Sequence, residues 1–144
     1  MPECAQEIEQ LKLQLKQREE DPGSGSLKYA NCGHMPPLLV NAHGDSRALN
    51  LTGPAVEAIH DADFVVLEET LRLGELLFSD TDGLTDAENV DGEHFSPASL
   101  LPLLPGGINP SKLLENIQNR LNEFTLGAGQ FDDIAMLAVS RKHE

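Results

Sequence analysis

The sequence predicts an α+β fold, and three observations predict it. Short apolar runs separated by Gly, Pro and Asn turns fill much of the first part of the chain, as strands in a sheet do. Two stretches with helix-starting signals follow, over 96–104 and 109–124. A last apolar run, over 134–140, closes the chain as a strand. Strands, then helices, then a strand favour α+β over a doubly wound parallel domain.

Each element has its own reason. Residues 1–20 are charged and Gln-rich. Ile8, Leu11 and Leu15 fall at helical spacing, while Leu11, Leu13 and Leu15 also alternate as in a strand. The flanking Glu, Gln, Lys and Arg favour an amphipathic helix. Residues 21–26 form a turn or linker, and the remainder, 27–144, reads as one body. Within it, 27–31 is a strand, Gly33 and His34 make a tight connection, and Leu38, Leu39 and Val40 are a second strand. His43, Gly44, Asp45 and Ser46 read as a hairpin turn into a polar edge strand over 47–51. Residues 55–63 read as loop with a helical turn. Residues 64–72 are extended, Gly74 and Glu75 turn the chain, and 76–78 run as a strand into an acidic loop. The two runs around that turn suggest an antiparallel pair. Ser96 and Pro97 start a brief helix whose regularity Pro102 limits. Asn109 and Pro110 open the strongest helix, over 111–124. Its apolar face carries Leu113, Leu114, Ile117, Leu121 and Phe124. Nearly every residue of 134–140 is apolar, which predicts cover on both faces of that strand. No internal repeat is evident.

Twenty-four acidic residues face ten basic ones, for a formal net charge of −14. Such a surface repels nucleic acid and anionic membranes at long range, so neither is expected as a partner. It suits divalent cations or basic partners. Cys4 and Cys32 belong to no CxxC or Cys/His cluster, which favours a reducing, cytoplasmic setting. No apolar run approaches the roughly 18 residues of a membrane span. The first ten residues lack the basic start and apolar stretch of a signal peptide. No Gly-x-Gly-x-x-Gly or Walker sequence is present.

The chemistry concentrates in the acidic stretch SDTDGLTDAENVDGEHF, which holds Asp80, Asp82, Asp86, Glu88, Asp91 and Glu93, and in the pair Asp132 and Asp133. Both groups adjoin strands. Carboxylates at strand ends can converge on a hard cation such as magnesium or manganese. In so acidic a chain they can equally be solvated surface. The later positions do not follow an EF-hand loop. His34 is open to three roles: proton carrier, substrate contact or structural residue. Cys32 lies two residues from it, but no third residue is placed to orient a nucleophile–base pair.

Three motifs then occur in order: LKYANCGHMPPLLV, LGELLFSDTDGLTDAENVDGEHF and FDDIAMLAVSR. Together they resemble the C-terminal half of bacterial PP2C-like metal-dependent serine/threonine protein phosphatases of the sporulation and stress-response branch. The resemblance covers roughly four fifths of the chain, residues 27–141. It implies a partial PP2C-like β-sandwich with flanking helices. It implies Mn2+ or Mg2+ as cofactor and a phosphoserine or phosphothreonine protein as substrate. By resemblance, Asp82 and Asp132 are metal ligands, with Gly83, Asp133 and Asp80 supporting them. Asn31, Gly33 and His34 match the family's strand connection, a structural turn.

There are departures. Ser79 and Asp80 stand where the family usually has an apolar residue and a tyrosine, and Ala135 replaces its usual threonine. The family's first half supplies further ligands from Gly-Asp-x-x-Asp and Gly-His-Gly segments, and these 144 residues contain neither. The resemblance therefore implies an incomplete centre, with weak metal binding, weak or absent catalysis and no assigned catalytic residue. The alternative is a noncatalytic regulatory or interaction module built on the same fold. Half a sandwich with open edges also implies self-association.

Overall fold

The structure, a computed structural model, describes residues 23–31, 33–53, 65–129 and 133–142. The amphipathic segment 1–20, the start of the linker, Cys32, the stretch 55–63 and Asp132 lie outside the described residues. The chain divides into two compact units, one formed by residues 1–34 and 50–72, the other by 35–49 and 73–144.

In the first unit, β1 (Ser26–Tyr29) pairs antiparallel with β4 (Leu67–Thr70). Lys28 lies opposite Glu68 in the register and pairs with its carboxylate at 2.8 Å. Asn31 follows β1 and is buried, as is Thr52. The Asn31 amide donates to Thr52 Oγ1 at 2.7 Å, and that hydroxyl donates to the Asn31 carbonyl at 3.1 Å. The Asn31 side chain closes the next turn: His34 N donates to its Oδ1 at 2.9 Å, and its Nδ2 donates to the His34 carbonyl at 3.1 Å. Gly33 sits inside that turn at φ +91°, a left-handed conformation that glycine adopts without a Cβ penalty.

The second unit holds a four-stranded antiparallel sheet in the order β3-β2-β5-β6. Its strands are β2 (Leu38–Val40), β3 (Ser46–Ala48), β5 (Leu76–Asp80) and β6 (Met136–Ser140). The expected hairpin at 43–46 joins β2 to β3, with Leu38 opposite Ala48. One expected pairing does not form: the run ending in β4 pairs with β1, not with β5. Gly74 donates its amide to the Arg141 carbonyl and Arg141 donates to Glu75, so the turn at 73–75 extends the β5–β6 ladder. This leaves β5 between β2 and β6, with no edge for β4.

The helices supply the rest of this unit's core. They are α1 (Asp82–Asp86), α2 (Pro97–Leu100) and α3 (Pro110–Phe124). The acidic stretch, expected as loop, starts instead with the helical turn α1, which fully buries Leu84. After α2 the chain tightens into a 3-10 turn over Leu101–Leu103, where Pro102 cannot donate a helical hydrogen bond. Asn109 caps α3, its side chain accepting from Ser111 N at 2.9 Å. Leu113, Ile117 and Leu121 of α3 are buried with Phe78, Leu84, Phe95 and Val40. Phe95 and Phe124 pack edge to face with ring centroids 5.3 Å apart.

The alternation of β5 explains which face is inside. Leu76 and Phe78 are buried and Leu77 is half-buried. In β6 the expected cover on both faces is not met: Leu137 is 57 % exposed and Val139 42 %. Met136 and Ala138 pack on the core while their neighbours in sequence face the other way.

Two loops of this unit use one chemistry. Asn41-x-x-Gly44-Asp45 and Asn89-x-x-Gly92-Glu93 each close with the Asn Oδ1 accepting two backbone amides. In each, the Asn Nδ2 donates to the last carboxylate, at 3.0 Å and 2.8 Å. Both glycines have positive φ, +91° and +77°.

Candidate metal centre

The site begins at the end of β5. Asp80 pairs in register with Met136, the last step of the β5–β6 ladder. Beyond it the strands separate, and Thr81 holds the separating chains together. Thr81 N donates to the Ala135 carbonyl at 3.0 Å. Ala135 N donates back to Thr81 Oγ1 at 3.1 Å. The same hydroxyl donates to the Asp133 carbonyl at 3.5 Å. Thr81 is also the residue before α1, but its side chain makes no cap bond to that helix, being engaged across the turn.

Gly83 completes the approach. It is buried, and a Cβ there would collide with the Asp133 carbonyl oxygen. The same Cβ would stand 3.2 Å from the Asp133 carbonyl carbon and from Ile134 Cγ1. A side chain at this position would push the two turns apart. Leu84, with no exposed surface, anchors α1 from the other side. The result is that the Asp82 turn and the chain at Asp133 are pressed together, with both aspartates exposed to solvent. Asp132, the sequence neighbour of Asp133, lies outside the described residues.

Asp80 behaves differently from Asp82. It is half-buried, and its Oδ2 is buried with no hydrogen-bond partner among the described residues. Desolvation raises its pKa above the ordinary carboxylate value of 3.8, against a smaller lowering by a backbone hydrogen bond. The remaining acids of the stretch scatter. Asp86 and Asp91 are exposed, Glu88 pairs with His94 at 3.5 Å, and Glu93 closes the Asn89 loop. His34 is exposed and belongs to the other unit. Among the described residues, no three His, Cys, Asp or Glu side chains gather as a metal cluster.

The donors that are present fit a hard divalent cation in chemistry. Asp82 offers carboxylate oxygens to solvent on a turn whose backbone is braced by Thr81 and Gly83. Sequence reasoning missed Thr81, because its partner lies 54 residues away. It also missed Thr52, which satisfies the Asn31 backbone from 21 residues away.

Comparison with known proteins places the fold. Protein IcfG of Synechocystis sp. is 35 % identical over 122 residues, covering 84 % of this chain and 19 % of IcfG. The chain thus spans about a fifth of that relative. The SiaA-PP2C domain of Pseudomonas aeruginosa matches with a TM-score of 0.67 at 21 % identity, over 81 % of this chain and 47 % of that one. The RsbU and RsbW domains of Rv1364c from Mycobacterium tuberculosis match with a TM-score of 0.57 at 26 % identity. That match covers 83 % of this chain and 34 % of that one. The phosphatase domain of SpoIIE from Bacillus subtilis, in the structure presoaked with Mn, matches with a TM-score of 0.62 at 18 % identity. It covers 84 % of this chain and 52 % of that domain. The fold is therefore PP2C-like, with an incomplete, open sheet flanked by helices. The model of the Stage II sporulation protein E (SpoIIE) family matches residues 18–142, and the chain belongs to that family.

Proposed function

We propose that this chain supplies the Asp82 and Asp132 half of a metal-dependent centre for hydrolysing phosphoserine or phosphothreonine in a signalling protein. The observation that carries the reading is the Thr81–Ala135 clasp, which draws the Asp82 turn against the chain at Asp133. Asp132 is one Cα step from Asp133. The two carboxylates would hold Mn2+ or Mg2+, with Gly83 and Asp133 supporting the turns. A divalent ion in such a site supplies an activated water and charge stabilisation for an in-line displacement. Asp82 and Asp132 would orient that chemistry through their carboxylate oxygens, Asp82 from a turn that Thr81 and Gly83 brace. Asp80, held back from solvent, adds charge behind them.

Two-metal hydrolysis needs carboxylates on both sides of the water. These 144 residues carry no Gly-Asp-x-x-Asp segment. On their own they bind manganese weakly and turn over phosphoprotein slowly or not at all. The setting is cytoplasmic stress or sporulation signalling.

Calorimetric titration of the 144-residue chain with manganese tests the site. A weak event, lost in both Asp82→Asn and Asp132→Asn, supports it. A longer chain that carries the Gly-Asp-x-x-Asp segment should dephosphorylate a phosphoserine protein, with the same two dependences. Manganese binding unchanged in both variants would overturn the assignment and leave the noncatalytic interaction module as the better reading.

A further inference from the structure

The four-stranded sheet ends on β6, and the hydrogen bonds at either end of that strand show which of its backbone groups the sheet uses. Ala135 turns its amide and carbonyl toward Thr81, and Arg141 turns its own toward Glu75 and Gly74. In an antiparallel ladder this direction alternates residue by residue. Ala135, Leu137, Val139 and Arg141 therefore bond inward, toward β5 and its two ends. Met136, Ala138 and Ser140 point their N–H and C=O groups the other way, along an edge that no strand covers among the described residues.

That edge is apolar on both faces. Met136 and Ala138 pack on the core, while Leu137 and Val139 are exposed on the open face. The sheet's other edge is unlike it. β3 is only Ser46, Arg47 and Ala48, exposed throughout, and a short charged strand resists pairing.

The sequence of β6 selects its partner. Against an antiparallel copy of itself, with Ala138 on a two-fold axis, Met136 meets Ser140 and Leu137 meets Val139. Met136, Ala138 and Ser140 then fall at hydrogen-bonded positions, so each outward N–H and C=O finds an opposite group. Leu137 and Val139 fall at the closer, non-hydrogen-bonded positions, with Cα atoms about 4.5 Å apart. A slip of one residue would put the outward groups out of phase and turn the apolar pair to the wrong face. The ends also match. Asp133 precedes the strand, and Arg141 and Lys142 follow it. Antiparallel pairing sets the basic end of each copy beside the acidic end of the other. Arg141 comes opposite Ala135 and diagonal to Asp133 on the same face, within reach of a long side chain.

We propose that a second copy of this chain pairs on β6 in this two-fold register, joining two four-stranded sheets into one. The interface needs no metal and no catalysis, so it stands apart from the phosphatase reading.

The test is amide hydrogen exchange by NMR on the full 144-residue chain, in chelator and in moderate salt to screen the net charge of −14. Exchange at Met136, Ala138 and Ser140 should slow about tenfold once about nine chains in ten are paired. Exchange at Leu137 and Val139, already bonded to β5, should change far less with protein concentration. A mixture of isotope-labelled and unlabelled chain should show contacts between the Leu137 methyls of one copy and the Val139 methyls of the other. Ala138→Pro removes the outward N–H at the axis and leaves the bonds to β5, so it should abolish the concentration dependence. Fast exchange at Met136, Ala138 and Ser140 at the highest concentration would overturn the proposal. Protection there without the Leu137–Val139 contact would also overturn it, by showing another register or another occupant. The exchange comparison uses the unaltered chain, so it decides the matter even where Ala138→Pro fails to fold.

Discussion

Gly83 packs against the carbonyl of Asp133 so closely that no side chain fits between them. This contact ties the turn after β5 to the segment at Asp133 and Ile134 that leads into β6. Alanine is favoured over glycine inside a helix by about 1 kcal/mol. Overpacking against fixed groups costs about 1–3 kcal/mol. The Asp133 segment cannot swing away freely, because Thr81 and Ala135 bond across the same gap. Gly83→Ala should therefore be net destabilising, by up to about 2 kcal/mol, and should weaken manganese binding further. Chemical denaturation with calorimetry checks both. An unchanged or raised unfolding midpoint would show that the turn yields.

Thr81 makes a subtler contribution. Its hydroxyl accepts from Ala135 N, an amide near solvent that water can satisfy instead. Thr81→Val keeps the branched shape and removes that acceptor. The stability cost should be small, about 0.5–1 kcal/mol. Hydrogen exchange at Ala135 should accelerate while exchange at Phe78 stays slow, since the ladder behind the clasp is intact. Thr81→Ser should restore protection. Equal exchange at Ala135 in all three proteins would remove the clasp from the account of the site.

What the sequence made legible was local. Asn109, Pro110 and the spacing of Leu113, Ile117 and Leu121 announce α3 within a few residues, and the structure follows them closely. The β2–β3 hairpin was readable from Gly44 and its neighbours for the same reason. Pairing β1 with β4 was not readable, because it joins Tyr29 to Leu67 across the chain and no local turn specifies it. The run at Gly74 looked like a hairpin, yet its backbone bonds go to Arg141. Asp82 had no standing from spacing alone in so acidic a chain. The three-motif resemblance singled it out. Thr81 stayed invisible to both readings, since a threonine after a strand is ordinary until its distant partner is known.

The open face of β6 makes a prediction about association. Leu137 and Val139 are 57 % and 42 % exposed on the strand that ends the four-stranded sheet. An exposed apolar strand at a sheet edge invites pairing with another chain. The net charge of −14 opposes this at low salt. Light scattering after size exclusion should therefore show self-association that grows with salt. Leu137→Lys should suppress it, by charging the face and the edge together. A monodisperse monomer at every salt concentration would sink the prediction.

Asp80 makes the stability of the fold depend on pH. Its Oδ2 is buried with no hydrogen-bond partner among the described residues, and desolvation raises its folded-state pKa above 3.8, its ordinary and unfolded value. The folded protein then holds this proton more tightly than the unfolded chain does. Between the ordinary and the raised value, the native state binds more protons, so stability falls as pH rises. Asp80's favourable contribution is complete below pH 3.8 and is lost as pH climbs through the raised value. Above the raised value the residue is ionised against its surroundings. Asp80→Asn removes the charge and keeps the shape. In chelator, without divalent ions, Asp80→Asn should melt at a higher temperature than the unaltered chain at pH 7. That advantage should shrink as pH falls toward 3.8, where the unaltered Asp80 takes up its own proton. Other carboxylates titrate in the same range, so the quantity to follow is the difference in melting temperature between the two proteins at each pH. A difference that is flat with pH, or that grows on acidification, would mean that Asp80 is solvated or paired in solution. Its buried oxygen would then have no part in the energetics of the turn.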